Sequence, residues 1–315
     1  MNAAAGNRAV ILVTGADLAS EALALLDDYD VVYAGHTPSE DDIVGLCRTH
    51  NPAAIIVRYS RVGAAAMDAA PALRVISKHG SGTDTIDRAA ATQRGIEVVA
   101  AVGANAAAVA EQAVALLMAC AKSVVTLDAR MRQGYWDKST HKSVELAGKT
   151  IGLIGLGAIG QRMAAMAHGM AMHVIGYDPY AKNLPDYITT VSLDDIWAQS
   201  HAISLHCPLT DTNRDMINAQ TLAQCQPGVI LLNTARGGLV DEAALLSAVQ
   251  SGHVMAAGLD SFVIEPMVAN HPFQTEPRII LSPHIGGVTR AAYVNMGVAA
   301  ARNALAVLAT RTVHA

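Results

Sequence analysis

Along nearly the whole chain, short apolar runs alternate with longer stretches of helical spacing. Runs rich in β-branched residues at 10–14, 31–33, 54–57, 75–77 and 97–100 predict strands, and 18–26, 40–49 and 86–94 predict helices between them. Strands apolar at consecutive positions are buried on both faces, as parallel strands are. The βαβα rhythm therefore predicts a doubly wound α/β domain. No glycine-rich phosphate loop follows any of these early strands, so this part is not expected to hold a nucleotide. After residue 101 the pattern changes: 105–131 reads as one long helix and 132–143 as a polar stretch. A second α/β series follows, with strands predicted at 150–155, 172–177, 202–206, 229–233, 256–259 and 278–281. The Ala-rich helical segment 291–308 is expected to return to the first domain. That makes two domains, one discontinuous (1–103 with 291–315) and one continuous (104–290).

Composition narrows the function classes. With 52% hydrophobic and 16% charged residues the chain has ample material for two cores. Its 22 basic and 27 acidic residues give a net charge of -5, which offers no electrostatic attraction for nucleic acid or an anionic membrane. Cys47, Cys120, Cys207 and Cys225 form no CxxC pair, and no spacing suggests a metal site, so free thiols in a reducing cytoplasm are expected. Residues 1–10 lack a charged segment followed by an apolar one, so no secretory leader is expected. The segment 104–127 carries Glu111, Gln112 and Lys122, each costly in hydrocarbon, and reads as a buried helix instead of a membrane span.

The strongest motif is Gly155-Leu156-Gly157-Ala158-Ile159-Gly160, between a predicted strand and a helix at 161–169. Gly155 permits the tight turn, Gly157 the approach of a pyrophosphate, and Gly160 the close packing of helix on strand. The helix N-terminus presents unpaired N–H groups and a positive dipole to phosphate, and Ala158 and Ile159 of the motif are expected to line the cofactor with the three glycines. An ordinary βα turn would account for the glycines alone. It would not account for Asp178, which ends the next strand 18 residues after Gly160, where a carboxylate accepts ribose hydroxyls. No Arg stands beside Asp178 to pair with a 2′-phosphate, so NAD is expected over NADP.

Hydroxy-acid chemistry needs a cation for the carboxylate and an acid–base group for the hydroxyl. Three later strand ends supply candidates: Asn233-Thr234-Ala235-Arg236-Gly237-Gly238; Gly258-Leu259-Asp260-Ser261-Phe262 with Glu265-Pro266; and Ser282-Pro283-His284-Ile285-Gly286-Gly287. Singly, Arg236 would be a surface cation, Glu265 a solvated charge, and His284 a core histidine. In this order, from about Lys78 to Thr289, the chain closely resembles the D-2-hydroxyacid dehydrogenases, especially their phosphoglycerate dehydrogenase-like branch. The resemblance implies a Rossmann NAD-binding domain, a discontinuous flavodoxin-like substrate domain and an active site in the cleft between them. It implies that Arg236 binds substrate carboxylate, that His284 is the acid–base group, and that Glu265 hydrogen-bonds His284 and favours its imidazolium form. Thr234 and Asp260 would line the nicotinamide-ribose side, and Pro208, in His206-Cys207-Pro208-Leu209-Thr210, the cofactor loop. Asn213 stands where the family often has Thr. Ser81 and Gly82, in Gly80-Ser81-Gly82-Thr83-Asp84, match the loop that holds substrate carboxylate.

The same likeness implies a homodimer through the cofactor domain, with 105–131 and 132–143 as its arm and Trp136 as a residue able to reach the partner's active site; on its side-chain chemistry Trp136 reads equally well as a local packing tryptophan. Arg58 and Lys78, at strand ends of the first domain, match basic residues that hold a distal phosphate. Taken alone they read as solvated cations or partners of acids such as Asp84. Glu265 argues against formate dehydrogenase, which pairs the histidine with Gln. Ser81 stands where phosphite dehydrogenases usually carry Lys. A NAD-sensing corepressor shares the fold but carries a long tail, for which the seven or so residues after the last predicted helix leave no room.

Overall fold

The computed structural model describes residues 8–310, so residues 1–7 of the leader reading and 311–315 of the tail reading lie outside the described residues. The chain divides into two compact units, Met1–Asn105 with Val288–Ala315, and Ala106–Gly287.

In the first unit five strands, β1 (Val10–Val13), β2 (Asp30–Tyr33), β3 (Ala54–Val57), β4 (Val75–Lys78) and β5 (Glu97–Ala100), form a parallel sheet in the order β2-β1-β3-β4-β5. That is the flavodoxin-like order, whose ligand-binding crevice opens at the carboxyl ends of β1 and β3. Helices α1 (Ser20–Leu23), α2 (Glu40–His50), α3 (Ala64–Asp68) and α4 (Arg88–Gln93) connect the strands, and the C-terminal helix of this unit, Arg290–Thr310, covers one face. Ile11, Val13 and Ile56 pack with Ala300 and Ala301 of that helix, while Leu12, Ile55 and Val57 face Ile43 and Met67 on the other side. The period-2 alternation of a strand thus serves two apolar layers. The buried Ser77 hydroxyl donates to the Ala300 carbonyl at 2.8 Å, tying strand to helix. The helix expected over 18–26 contracts to α1, because the chain tightens into three-residue turns, Leu25 N–H to Ala22 O and Leu26 N–H to Leu23 O.

The second unit begins with α5 (Ala106–Lys122) and α6 (Val124–Arg132), and here the single long helix expected over 105–131 is corrected. Ser123 adopts a left-handed conformation, φ 51°, and the axis bends by 60°. The run Ser123-Val124-Val125-Thr126 is poor in helix propensity, and α6 buries none of its residues, so no packing offsets the weakness. Among the described residues no single helix is long and apolar enough to cross a membrane.

The sheet follows with β6 (Thr150–Ile154), α7 (Ala158–Gly169), β7 (His173–Tyr177), β8 (Ile188–Thr190), α8 (Leu193–Gln199), β9 (Ala202–Leu205), α9 (Ala219–Gln224), β10 (Val229–Asn233), α10 (Glu242–Gln250), β11 (Val254–Leu259) and β12 (Ile279–Leu281). The C-terminal helix of the first unit is α11. Spatial order is β12-β11-β10-β9-β6-β7-β8, all parallel, so the chain reverses direction across the sheet between β6 and β9. This is the Rossmann arrangement, with its ligand crevice at that reversal. Leu117, Ile151, Leu153, Met163 and Leu232 fill one face, and Ile154, Ile196, Leu205, Leu231 and Leu245 the other.

Candidate active site

At the reversal point β6 runs into Gly155, whose φ is +96°. A Cβ there would lie 2.7 Å from the Cys207 backbone nitrogen beyond β9, so only glycine makes the turn. A Cβ on Gly160 would strike the Gly155 carbonyl, whereas one on Gly157 would meet nothing within 4 Å. Gly157 N-caps α7 without a side-chain bond, and the helix therefore starts at Ala158, three residues earlier than its apolar pattern suggests. Asp178, just past β7, accepts from Leu156 N–H and Tyr180 N–H, both at 2.8 Å. Pro208 sits exposed after β9, and Asn213 closes its loop, giving its amide N–H to the Pro208 carbonyl (2.8 Å) and accepting from Thr210 N–H (2.7 Å). The Thr234 hydroxyl, at the end of β10, is buried without a partner. An open glycine cradle, a free helix N-terminus and an orphaned hydroxyl suit a nicotinamide dinucleotide.

The candidate chemical groups of this unit stand on three adjacent strand ends. After β10, Asn233 accepts from Ala235 N–H (3.0 Å) and donates to the Arg236 carbonyl (2.8 Å), so the turn that carries Arg236 is pinned by the strand's last side chain. Arg236 Nη1 donates to the Ala235 carbonyl at 2.7 Å. After β11, Glu265 Oε1 accepts from Phe262 N–H at 2.9 Å, which leaves Oε2 to accept from His284 Nδ1 at 2.6 Å. His284 follows β12 with φ 52° and a side chain 46% exposed, so it is not a core histidine.

Asp260 is 1% exposed, and its carboxylate accepts from Ser282 Oγ (2.5 Å), Ile285 N–H (3.0 Å) and Gly286 N–H (2.7 Å). Gln112, on α5, donates to Ser282 Oγ at 3.1 Å. A buried carboxylate with three donors is well satisfied, and these bonds clamp the loop that carries His284. Sequence reasoning gave no role to Ser282 or Gln112. Ser282 was visible as a polar residue at a strand end, but nothing in sequence links it to Gln112, 170 residues away.

Arg58, Lys78, Ser81 and Gly82 belong to the first unit. Arg58 follows β3, with its guanidinium 5.0 Å from the ring centroids of both Tyr59 and Tyr293. Its side chain is 9% exposed and ion-paired with Asp17, which is 67% exposed. Asp17 is thus the acid beside Arg58 where sequence offered Asp84; β1 and β3 are neighbours in the sheet, so their trailing loops meet. Burial pushes the Asp17 carboxyl up, but hydrogen bonds from Arg58 and Tyr293 and the Arg58 charge outweigh it and hold it below its ordinary value. Lys78 Nζ donates to the Arg58 carbonyl. Ser81 is exposed, with Oγ 3.3 Å from Asn105 Oδ1, and Gly82 is half-buried. Among the described residues no three His, Cys, Asp or Glu side chains gather as a metal site would need.

The model of the D-isomer specific 2-hydroxyacid dehydrogenase NAD-binding domain matches residues 114–286. A D-3-phosphoglycerate dehydrogenase of Mycobacterium leprae is 42% identical over 248 residues, 78% of this chain and 47% of that protein. A hydroxypyruvate reductase of Thermotoga maritima is 40% identical over 247 residues, 78% of this chain and 81% of that protein. The crystal structure of a glyoxylate reductase from Paecilomyes thermophila superposes with a TM-score of 0.84 at 29% identity, covering 94% of each chain. The chain spans about half the length of the phosphoglycerate dehydrogenases it matches.

Proposed function

The chain belongs to the D-isomer-specific 2-hydroxyacid dehydrogenase family, and from that premise we propose that it is an NAD-dependent oxidoreductase interconverting a small 2-hydroxy acid and its 2-keto acid. The observation that carries the reading is the 2.6 Å contact between His284 Nδ1 and Glu265. Because Glu265 takes Nδ1, Nε2 is the nitrogen left to give a proton to the ketone oxygen in reduction and to take it back in oxidation. Glu265 fixes the ring's orientation and supports its charge when both nitrogens are protonated. Arg236 binds the carboxylate with its planar fork. The dinucleotide, when bound, supplies or accepts the hydride. It would be held at Gly155, Gly157, Ala158, Ile159 and Gly160, with Asp178 at the ribose, Pro208 along the loop, and Thr234 and Asp260 toward the nicotinamide. Asp178 would repel a 2′-phosphate, which favours NADH over NADPH.

The named relatives point to glyoxylate, hydroxypyruvate and phosphohydroxypyruvate as the substrates to compare. The exposed Asp17 carboxylate on Arg58 favours an uncharged tail over a phosphorylated one, since a phosphate would have to displace that carboxylate. We also place the protein in the cytoplasm, in keeping with four free cysteines. A homodimer through α6 and the segment after it is supported by exposed Val124, Val125, Met131 and Tyr135, and by Trp136, 74% exposed and able to approach the partner's site. The test of function is NADH consumption with a panel of 2-keto acids. Turnover of at least one supports the reading, and NADH binding without turnover of any would instead favour a cofactor-sensing protein.

A further inference from the structure

The two backbone N–H groups at Phe262 and Val263 are taken by two different carboxylates. Phe262 N–H goes to Glu265 Oε1 at 2.9 Å, and Val263 N–H goes to Glu242 Oε1 at 3.0 Å. Glu242 is the first residue of α10, on a separate element from the loop it holds. Its other oxygen, Oε2, is 3.3 Å from His271 Nε2. His271 Nδ1 accepts from Phe273 N–H at 3.3 Å, so the ring's proton sits on Nε2 and is donated to Glu242. The ring also stands edge-on to buried Phe273, 4.7 Å between centroids. On the side of Gly237 the loop has no slack, because a Cβ there would run into the Phe262 and Val263 main chain. His271, Glu242 and Gly237 thus enclose the short segment that carries Glu265.

We propose that Glu242, oriented by His271, is a positioning residue that acts through Glu265 on His284. Its anchor lies at the start of a helix whose Leu245 and Val249 are fully buried, so the brace refers the loop to the rigid sheet layer. Without it, Val263 N–H loses its partner, the one remaining carboxylate bond to this segment comes from Glu265 itself, and the Glu265–His284 contact loses a reference outside its own loop. Displacements near 1 Å from the productive geometry can cost about 100-fold in rate. The inference rests on the proposed roles of Glu265 and His284.

The experiment is a double-mutant cycle in the full-length protein, with kcat read at saturating NADH for the best 2-keto acid of the panel. Glu242→Ala leaves the Asp241 cap of α10 in place and is expected to lower kcat by about 10- to 100-fold, with KM for NADH and Tm near wild type. Glu242→Gln keeps an oxygen for Val263 N–H but turns an NH2 toward His271 Nε2–H, and is expected to recover part of the rate. In a Glu265→Gln background the cost of Glu242→Ala should shrink to about twofold or less, since a residue acting through Glu265 has nothing left to place. A merely structural Glu242 would instead multiply the two penalties and lower Tm, and that result overturns the proposal, as does a Glu242→Ala kcat within twofold of wild type. Undiminished activity of Glu265→Gln alone would overturn the reading of the dyad itself, and this inference with it.

Discussion

His284→Asn keeps a polar side chain of similar reach but removes the nitrogen that exchanges a proton. Positioned acid–base catalysis contributes about 10²–10⁴-fold, so kcat for 2-keto acid reduction should fall by about 100-fold or more, measured at saturating NADH. Near-wild-type turnover would refute the assignment. Asp178→Ala should narrow the preference for NADH over NADPH, read as the ratio of kcat/KM values; equal use of both cofactors by the wild type would contradict the role given to Asp178. At the first unit, Asp17→Asn leaves Arg58 charged but no longer neutralised by a carboxylate. The ratio of kcat/KM for phosphohydroxypyruvate over hydroxypyruvate should then rise by about tenfold or more, one charge-assisted hydrogen bond being typically worth about 1.5–3 kcal/mol. Adding Arg58→Ala should abolish the gain, and an unchanged ratio in Asp17→Asn would exclude Arg58 from reading the substrate's tail. Arg58 was legible as a strand-end cation. Its neutralisation by Asp17, 41 residues earlier, was not, because charge pairing across neighbouring strands leaves no spacing signal.

At the scale of elements, the loop after β12 shows how a strand end becomes a site. Its backbone N–H groups at Ile285 and Gly286 have no sheet partner and turn onto Asp260 instead. Asp260→Asn keeps the shape but offers one acceptor oxygen where the carboxylate offers two, leaving a buried N–H short of its partner. That should lower Tm and, by loosening the His284 loop, cost kcat about tenfold or more, seen by thermal denaturation and steady-state rates. Unchanged values of both would show that the clamp carries no weight. The strands were legible because buried parallel strands are continuous apolar runs, and α7 because its fingerprint demands a helix start. The break at Ser123 was not, since helical spacing continues through 123–126 and only the lack of buried partners on α6 lets local propensity prevail. The three-residue edge strand β8 is too short to rise above its surroundings.

For the molecule as a whole, pH should act on stability through His79. This residue is buried against Tyr293, and burial, with the Arg58 charge adding to it, pushes its pKa down to about 4. Unfolded, it would titrate near 6.5, so between pH 6.5 and 4 the unfolded chain binds more protons and stability drops as pH falls, by at most about 3 kcal/mol from this group. His79→Gln should flatten that slope in urea or thermal midpoints, and an unaltered slope would assign the acid sensitivity elsewhere. Sedimentation at micromolar concentration should give a dimer; a fully active monomer would remove α6 as an interface. Local periodicity, glycine conformations and ordered motifs along the chain were enough to read the two parallel α/β sheets, the glycine-rich βα turn and the family. Folding alone reveals which other side chains meet, Asp260 with the histidine loop, Asp17 with Arg58, and Glu242 with the loop of Glu265, whereas the Glu265–His284 pair, already implied by the family resemblance, gains from it only its geometry. Those pairings arise from strand order, which brings together residues far apart in the chain, and hydrogen-bond geometry is set where the strands end.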